Sequence, residues 1–133
     1  MMDLDDVGMK QKWYEPARRP KKLHKEQVGR HWRTDQTIGE LGPGWHFITF
    51  KLPGEHADKQ VFLYFGSVDG YAHVYVNGKP AGTHNGNTAT GWIEPFHFDV
   101  TKLVKAGDND LAVRVRASTG LVGIYKSIGV VVK

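Results

Sequence analysis

The thirteen residues THNGNTATGWIEP, positions 83–95, bring a histidine, two amides and a tryptophan together among glycines. Hydroxyl-rich ligands are held by such groups: planar amides, carboxylates and guanidinium ions bond the hydroxyls, and an aromatic face stacks on the ring. His84, Asn85, Asn87 and Trp92 supply this mix, and Gly86 and Gly91 let the backbone bend toward a ligand. Arg116 ends an outward-facing row and can reach an anionic sugar, while Tyr125 offers a further aromatic face. Each has an alternative reading as scaffold. Trp92 can anchor the loop onto the fold, and Trp45 and Tyr125 lie in apolar segments that favour burial.

Catalysis by this chain is not expected. Glycoside hydrolysis needs two carboxyl groups held across a bond. Asp69, Glu94 and Asp99 sit at turns or strand ends with no defining spacing, and Ser67, Ser118 and Ser127 lack a nucleophile-elbow context. Seven histidines raise a metal site, with His73 and His97 converging on Asp99 as its best form. No H-x-H or H-x₃-H spacing supports it, and no metal ligand is assigned. The chain has no cysteine, which excludes disulfides, thiolate zinc sites and cysteine nucleophiles.

The net charge is +4, from 18 basic and 14 acidic residues. Arg18, Arg19, Lys21, Lys22 and Lys25 supply that excess locally, so it characterises a segment and not the fold. A solvated loop accounts for it; contact of residues 18–33 with an anionic polysaccharide is the alternative. Nucleic acid and membrane are not expected partners: no apolar run approaches the roughly 20 residues that span a bilayer. The opening MMDLDDVGMK has no apolar stretch typical of an export signal, and the compartment stays open.

The elements that must position these residues are strands. Residues 1–44 read as an irregular lead-in that wraps a single domain, with one edge strand around Gln27–Arg33 and with Trp13, Tyr14 and Trp32 pinning it to the core. Residues 45–133 read as the sandwich. WHFITFKLP is a strand closed by Pro53 and Gly54, and QVFLYFGS is a run apolar enough to be covered on both faces. In YAHVYVNGK, Ala72, Val74 and Val76 face one way and His73 and Tyr75 the other, before an Asn77-Gly78 hairpin turn. EPFHFDV turns Phe96, Phe98 and Val100 inward. NDLAVRVRA buries Leu111, Val113 and Val115 and exposes Arg114 and Arg116, and SIGVVVK is the last strand. Only VTKLVKAG, from Thr101 to Gly107, can form a helical turn. Short strands with turn residues between them argue for an all-β antiparallel sandwich or barrel.

Three segments, LYFGSVDGYAHVYVNGKPAGTHNG, FHFDVTKLVKAGDNDLAVRVRA and GIYKSIGVVV, resemble in order the N-terminal sugar-binding domain of family 2 glycoside hydrolases, the β-galactosidase and β-glucuronidase group. GPGWHFITFKLP resembles that family's first sandwich strand and DLDDVGMKQKWYEP its lead-in; the likeness covers about residues 40–133. The resemblance implies a jelly-roll β-sandwich of the galactose-binding-like type. Asn77, Gly78, Asp99, Thr101, Gly107, Asn109 and Gly123 are then structural, with Thr101 capping its turn. Structural calcium is common in this class, and Asp3, Asp5 and Asp6 are the candidate ligands. The family's catalytic glutamates lie in a separate barrel for which this chain has no residues, and the link ASTGLVGIYK carries no carboxylate. The expectation is a non-catalytic carbohydrate-binding accessory module, acting beside a catalytic domain in a periplasmic or secreted parent. The alternatives are a purely structural sandwich packed against that catalytic domain and the anionic-polymer binder.

Overall fold

The computed structural model describes residues 3, 5–21, 32–33, 43–56, 58–116, 121–124 and 126–133. Among these are ten strands and no α-helix: β1 Trp32–Arg33, β2 Gly44–Leu52, β3 Val61–Phe65, β4 Val68–Asp69, β5 Tyr71–Val76, β6 Lys79–Asn85, β7 Phe96–Asp99, β8 Gly107–Arg116, β9 Leu121–Ile124 and β10 Ile128–Val132. A four-stranded sheet runs β2-β8-β5-β6, a three-stranded sheet runs β10-β3-β7, and β9 links β1 to β4. Every pairing is antiparallel. The architecture is an all-β antiparallel sandwich.

Alternation builds its core, because residues two apart on a strand share a face. Ala72, Val74 and Val76 of β5 and Leu111, Val113 and Val115 of β8 are buried against Val61, Leu63 and Phe65 of β3. Val100 is buried with them, and Phe96 and Phe98 pack against them, as their inward parity requires. Asn77 and Gly78 take φ angles of 50° and 78°, the left-handed pair that a two-residue hairpin needs. The Asn77 side chain also accepts the Asp110 N–H at 2.9 Å and donates to the Leu103 carbonyl at 2.8 Å, tying the hairpin to the start of β8.

Three expectations are corrected. β3 alternates buried and half-buried residues, so its second face, with Phe62 and Tyr64, is not covered among the described residues. The 101–107 segment makes the turn expected of it, with the Val104 N–H on the Val100 carbonyl at 3.2 Å. Asp99, and not Thr101, caps it, accepting the Thr101 N–H at 3.0 Å, while Thr101 Oγ1 accepts the Val61 N–H. Arg114 is buried and not exposed, bonded to Asp6 at 2.7 Å. Of the edge strand proposed at Gln27–Arg33, only Trp32 and Arg33 are described, paired with Val122 and Leu121.

Arg114 is buried because the lead-in lies over the outer face of the four-stranded sheet. Trp13, Trp45, Tyr75 and Ala112 form a second buried cluster there, with Val7, Tyr14 and Phe47 against it. Tyr14 stacks on Tyr75 at 4.5 Å between centroids. The carboxylate of Asp3 accepts the N–H groups of Val7 and Gly8 at 2.9 and 2.7 Å and the indole N–H of Trp45 at 3.2 Å.

Candidate functional site

The register of the four-stranded sheet decides which candidates meet. Residues directly opposite on adjacent antiparallel strands share a face. Tyr71 of β5 lies between Asn85 of β6 and Arg116 of β8, making one row on the outer face at the end of the sheet. The adjacent row is Thr83, His73 and Arg114, and the rings of Tyr71 and His73 are 5.1 Å apart.

The loop after β6 is fastened to this row. The Asn87 N–H donates to Asn85 Oδ1 at 3.0 Å, and Asn87 Nδ2 donates to the Arg116 carbonyl at 3.4 Å. The Gly86 N–H donates to the Gly70 carbonyl at 2.9 Å. A Cβ on Gly86 would lie 2.3 Å from the Val68 carbonyl oxygen, so only glycine allows this approach. Further on, the Gly91 N–H donates to Thr88 Oγ1 at 2.8 Å and Thr90 Oγ1 donates to Glu94 at 3.0 Å. Asn85, Asn87 and Arg116 therefore converge, with Tyr71 among them.

His84 does not join them. It lies opposite the inward Ala72, stacks on Phe96 at 4.0 Å and 7°, and has its Nδ1 buried without a hydrogen-bond partner. The reason is a bulge: Val74 pairs with Gly82 but Tyr75 pairs with Pro80, so Ala81 is an extra residue. One inserted residue inverts the facing of everything after it. Its Nε2 faces Glu94 at 3.8 Å. Trp92 lies in a 3₁₀ turn, Gly91–Ile93, with its side chain outside the described atoms, and Tyr125 lies outside the described residues. Tyr71 was not singled out from the sequence, although its parity with His73 and Tyr75 marks it as outward.

The charge of the row is set by Arg116, whose side chain is 58% exposed with Nη1 3.7 Å from Asp6. His73 is held below its ordinary pKa, first by burial and then by the Arg114 cation, so it presents a neutral ring at neutral pH. The row thus offers an aromatic face, two amides and a cation, suited to hydroxyl and carboxylate recognition and carrying no acid–base pair.

The other candidates have structural occupations. Asp99 is held below the usual carboxylate range by hydrogen bonds from the Thr101 hydroxyl and N–H. His73 lies on the four-stranded sheet and His97 on the three-stranded one, stacked on Tyr64, so the two do not converge. Among the described residues, no three histidine or carboxylate side chains gather to hold a metal. Asp3 faces three N–H donors, and Asp6 faces Arg114 and Arg116. In the basic segment, Arg18 pairs with Glu15 and Arg19 with Asp110, while positions 22–31 lie outside the described residues.

The fold is an antiparallel β-sandwich with this row at one end of its four-stranded sheet. The family described as glycosyl hydrolases family 2, sugar binding domain, matches residues 32–126, and the chain belongs to it. A beta-glucuronidase of Formosa agariphila is 42% identical over 80 residues, covering 59% of this chain and 8% of that protein. A beta-galactosidase of Thermoanaerobacter pseudethanolicus is 37% identical over 73 residues, covering 53% of this chain and 9% of that protein. Among solved structures, a beta-glucuronidase from Ruminococcus gnavus in complex with uronic deoxynojirimycin superposes with a TM-score of 0.81 at 22% identity, a likeness of fold, over 98% of this chain and 27% of that one. A beta-glucuronidase of an uncultured Clostridium species gives 0.66 at 31% identity, over 81% of this chain and 18% of that one. The chain thus spans less than a tenth of these curated relatives and about a quarter of the Ruminococcus chain.

Proposed function

We propose that this domain is a non-catalytic carbohydrate-contacting module of a larger glycoside hydrolase, working beside a catalytic domain carried elsewhere in the same protein. The observation that supports it is the row Asn85–Tyr71–Arg116 with Asn87 fastened across it, where three of the sequence candidates meet. A sugar ring stacks on Tyr71, its hydroxyls bond the two amides, and a carboxylate, if the sugar carries one, pairs with Arg116. The names of the relatives, glucuronidase and galactosidase, are compatible with either an acidic or a neutral sugar. One or two rings held this way bind weakly, and tethering to the catalytic domain raises the effective concentration.

The test is a glycan array at two salt concentrations with the wild type, Tyr71→Ala and Arg116→Ala. Binding lost in Tyr71→Ala supports the row. Salt sensitivity that disappears with Arg116→Ala identifies an acidic sugar, whereas a neutral ligand barely responds to salt. If nothing binds, the carbohydrate role fails and packing against the catalytic domain is the role that stands.

A further inference from the structure

The outer face of the three-stranded sheet carries a second set of rings that the fold does not use. Gly129, Tyr64 and His97 lie side by side across β10, β3 and β7, and Val131, Phe62 and Asp99 form the next row. His97 stacks on one side of Tyr64 at 4.8 Å and 23°, and Phe62 stands 6.0 Å from His97, edge to face. On the opposite side of Tyr64 is Gly129, where a Cβ would have no atom within 4 Å. The Tyr64 ring is thus backed on one side and open on the other.

The rim of this row is polar. Lys133 Nζ lies 5.4 Å from the Phe62 centroid. Beyond Phe62 and Asp99 is a shallow cleft of about 390 Å³, lined by Gln60, Asp99, Thr101, Lys102 and Leu103. An aromatic face next to an amide, a carboxylate and an ammonium is the combination that reads a hydroxylated ring. A protein-docking face would instead be broadly apolar. The large exposed apolar residues among those described are Met9, Ile93 and Val131, of which only Val131 is on this face.

We propose that this face is a second carbohydrate-binding surface, with one sugar ring stacked on the open side of Tyr64 above Gly129 and a further ring of the same chain bonding Asp99 and Gln60 beyond Phe62. It stands independently of the row at Tyr71. A chain occupying this face would run along β3 from Tyr64 toward Gln60, held by several weak contacts.

Gly129 supplies the test, because a side chain there fills the slot without a clash and without the strain of a positive φ. The 133-residue chain is run in native gels containing soluble xylan, galactan or polygalacturonate, as wild type, Gly129→Val, Tyr64→Ala and Arg116→Ala. The expected result is retardation of the wild type in at least one polymer, weakened about tenfold by Gly129→Val, the order of one stacked ring, and likewise by Tyr64→Ala, but retained in Arg116→Ala. Gly129→Val should melt no lower than the wild type; if it does, Tyr64→Ala alone carries the reading. Retardation lost only in Arg116→Ala overturns this proposal while leaving the Tyr71 row standing. No retardation of the wild type overturns it as well. So does a variant that binds polymer normally but changes the sedimentation of the chain, which would make the face a protein contact.

Discussion

Arg19 and Asp110, 91 residues apart in sequence, meet as a two-pronged ion pair, with Nη1 2.7 Å from Oδ1 and Nη2 bonded to Oδ2. Their side chains are 10% and 18% exposed. Arg19 also donates to the Trp13 carbonyl at 2.9 Å and lies 4.1 Å from the centroid of the Phe47 ring. One guanidinium therefore joins the lead-in, the hairpin region and the outer face of β2. Removing it leaves a largely buried carboxylate without its partner. Arg19→Ala should cost roughly 3 kcal/mol, read as a lower urea midpoint with little change in slope. Arg19→Lys should recover only part of this, since an ammonium cannot fork onto both oxygens.

Asp3 tests the same cover from its other end. Asp3→Ala removes the acceptor for two backbone N–H groups and for the Trp45 indole. Hydrogen bonds to charged acceptors contribute about 1.5–3 kcal/mol each, less when neighbours compete. The variant should lose roughly 2–4 kcal/mol on that basis, and its tryptophan fluorescence should shift to the red before global unfolding. Unchanged fluorescence and stability would mean that the lead-in is held without this carboxylate.

His46 sets a pH dependence. It lies on the inward face of β2, opposite Val113, and burial is the main reason that its pKa falls to about 3 from the ordinary 6.5. In the unfolded chain the imidazole takes up a proton below about pH 6.5; in the folded chain it does not until about pH 3. The unfolded state therefore binds more protons in that window, and stability is full above it and declines as pH falls. The slope contributed by His46 should approach 1.4 kcal/mol per pH unit near pH 5. Urea midpoints from pH 7 to 4 should fall less steeply in His46→Gln. Equal slopes in the two proteins would place the acid sensitivity elsewhere.

Two glycines should respond in opposite ways. Gly86→Ala drives a Cβ into the carbonyl oxygens of Val68 and Gly70, at 2.3 and 2.6 Å, both of them backbone atoms that cannot step aside. It should cost roughly 1–3 kcal/mol and detach the loop that carries Asn87. Gly129→Ala meets open space on a strand, and should be neutral or slightly stabilising. Calorimetric melting of the two variants checks both signs at once.

The sequence revealed what is periodic and local. Asn77-Gly78, the alternation of Ala72, Val74 and Val76, and the burial of Leu111, Val113 and Val115 follow from turn chemistry and a period of two. It concealed what depends on segments far away. Arg114 has the parity of an exposed residue, and only the lead-in, by way of Asp6, buries it. His84 and Asn85 read as fellow ligand-readers, but consecutive strand residues face opposite ways, and the bulge at Ala81 makes His84 the one that turns inward. No signal in a single sequence marks such a bulge. Tyr71 was legible by parity, since it shares the outward face of His73 and Tyr75.

The cover on the four-stranded sheet also governs the order in which the chain can assemble. Among the described residues β2 pairs with β8 alone, and the platform for Trp13, Tyr14 and Arg19 exists once β2, β8 and β5 lie side by side. Loop closure over such separations is slow. The lead-in is therefore among the last segments to settle, and until it does Trp45, Phe47 and Tyr75 lack their cover.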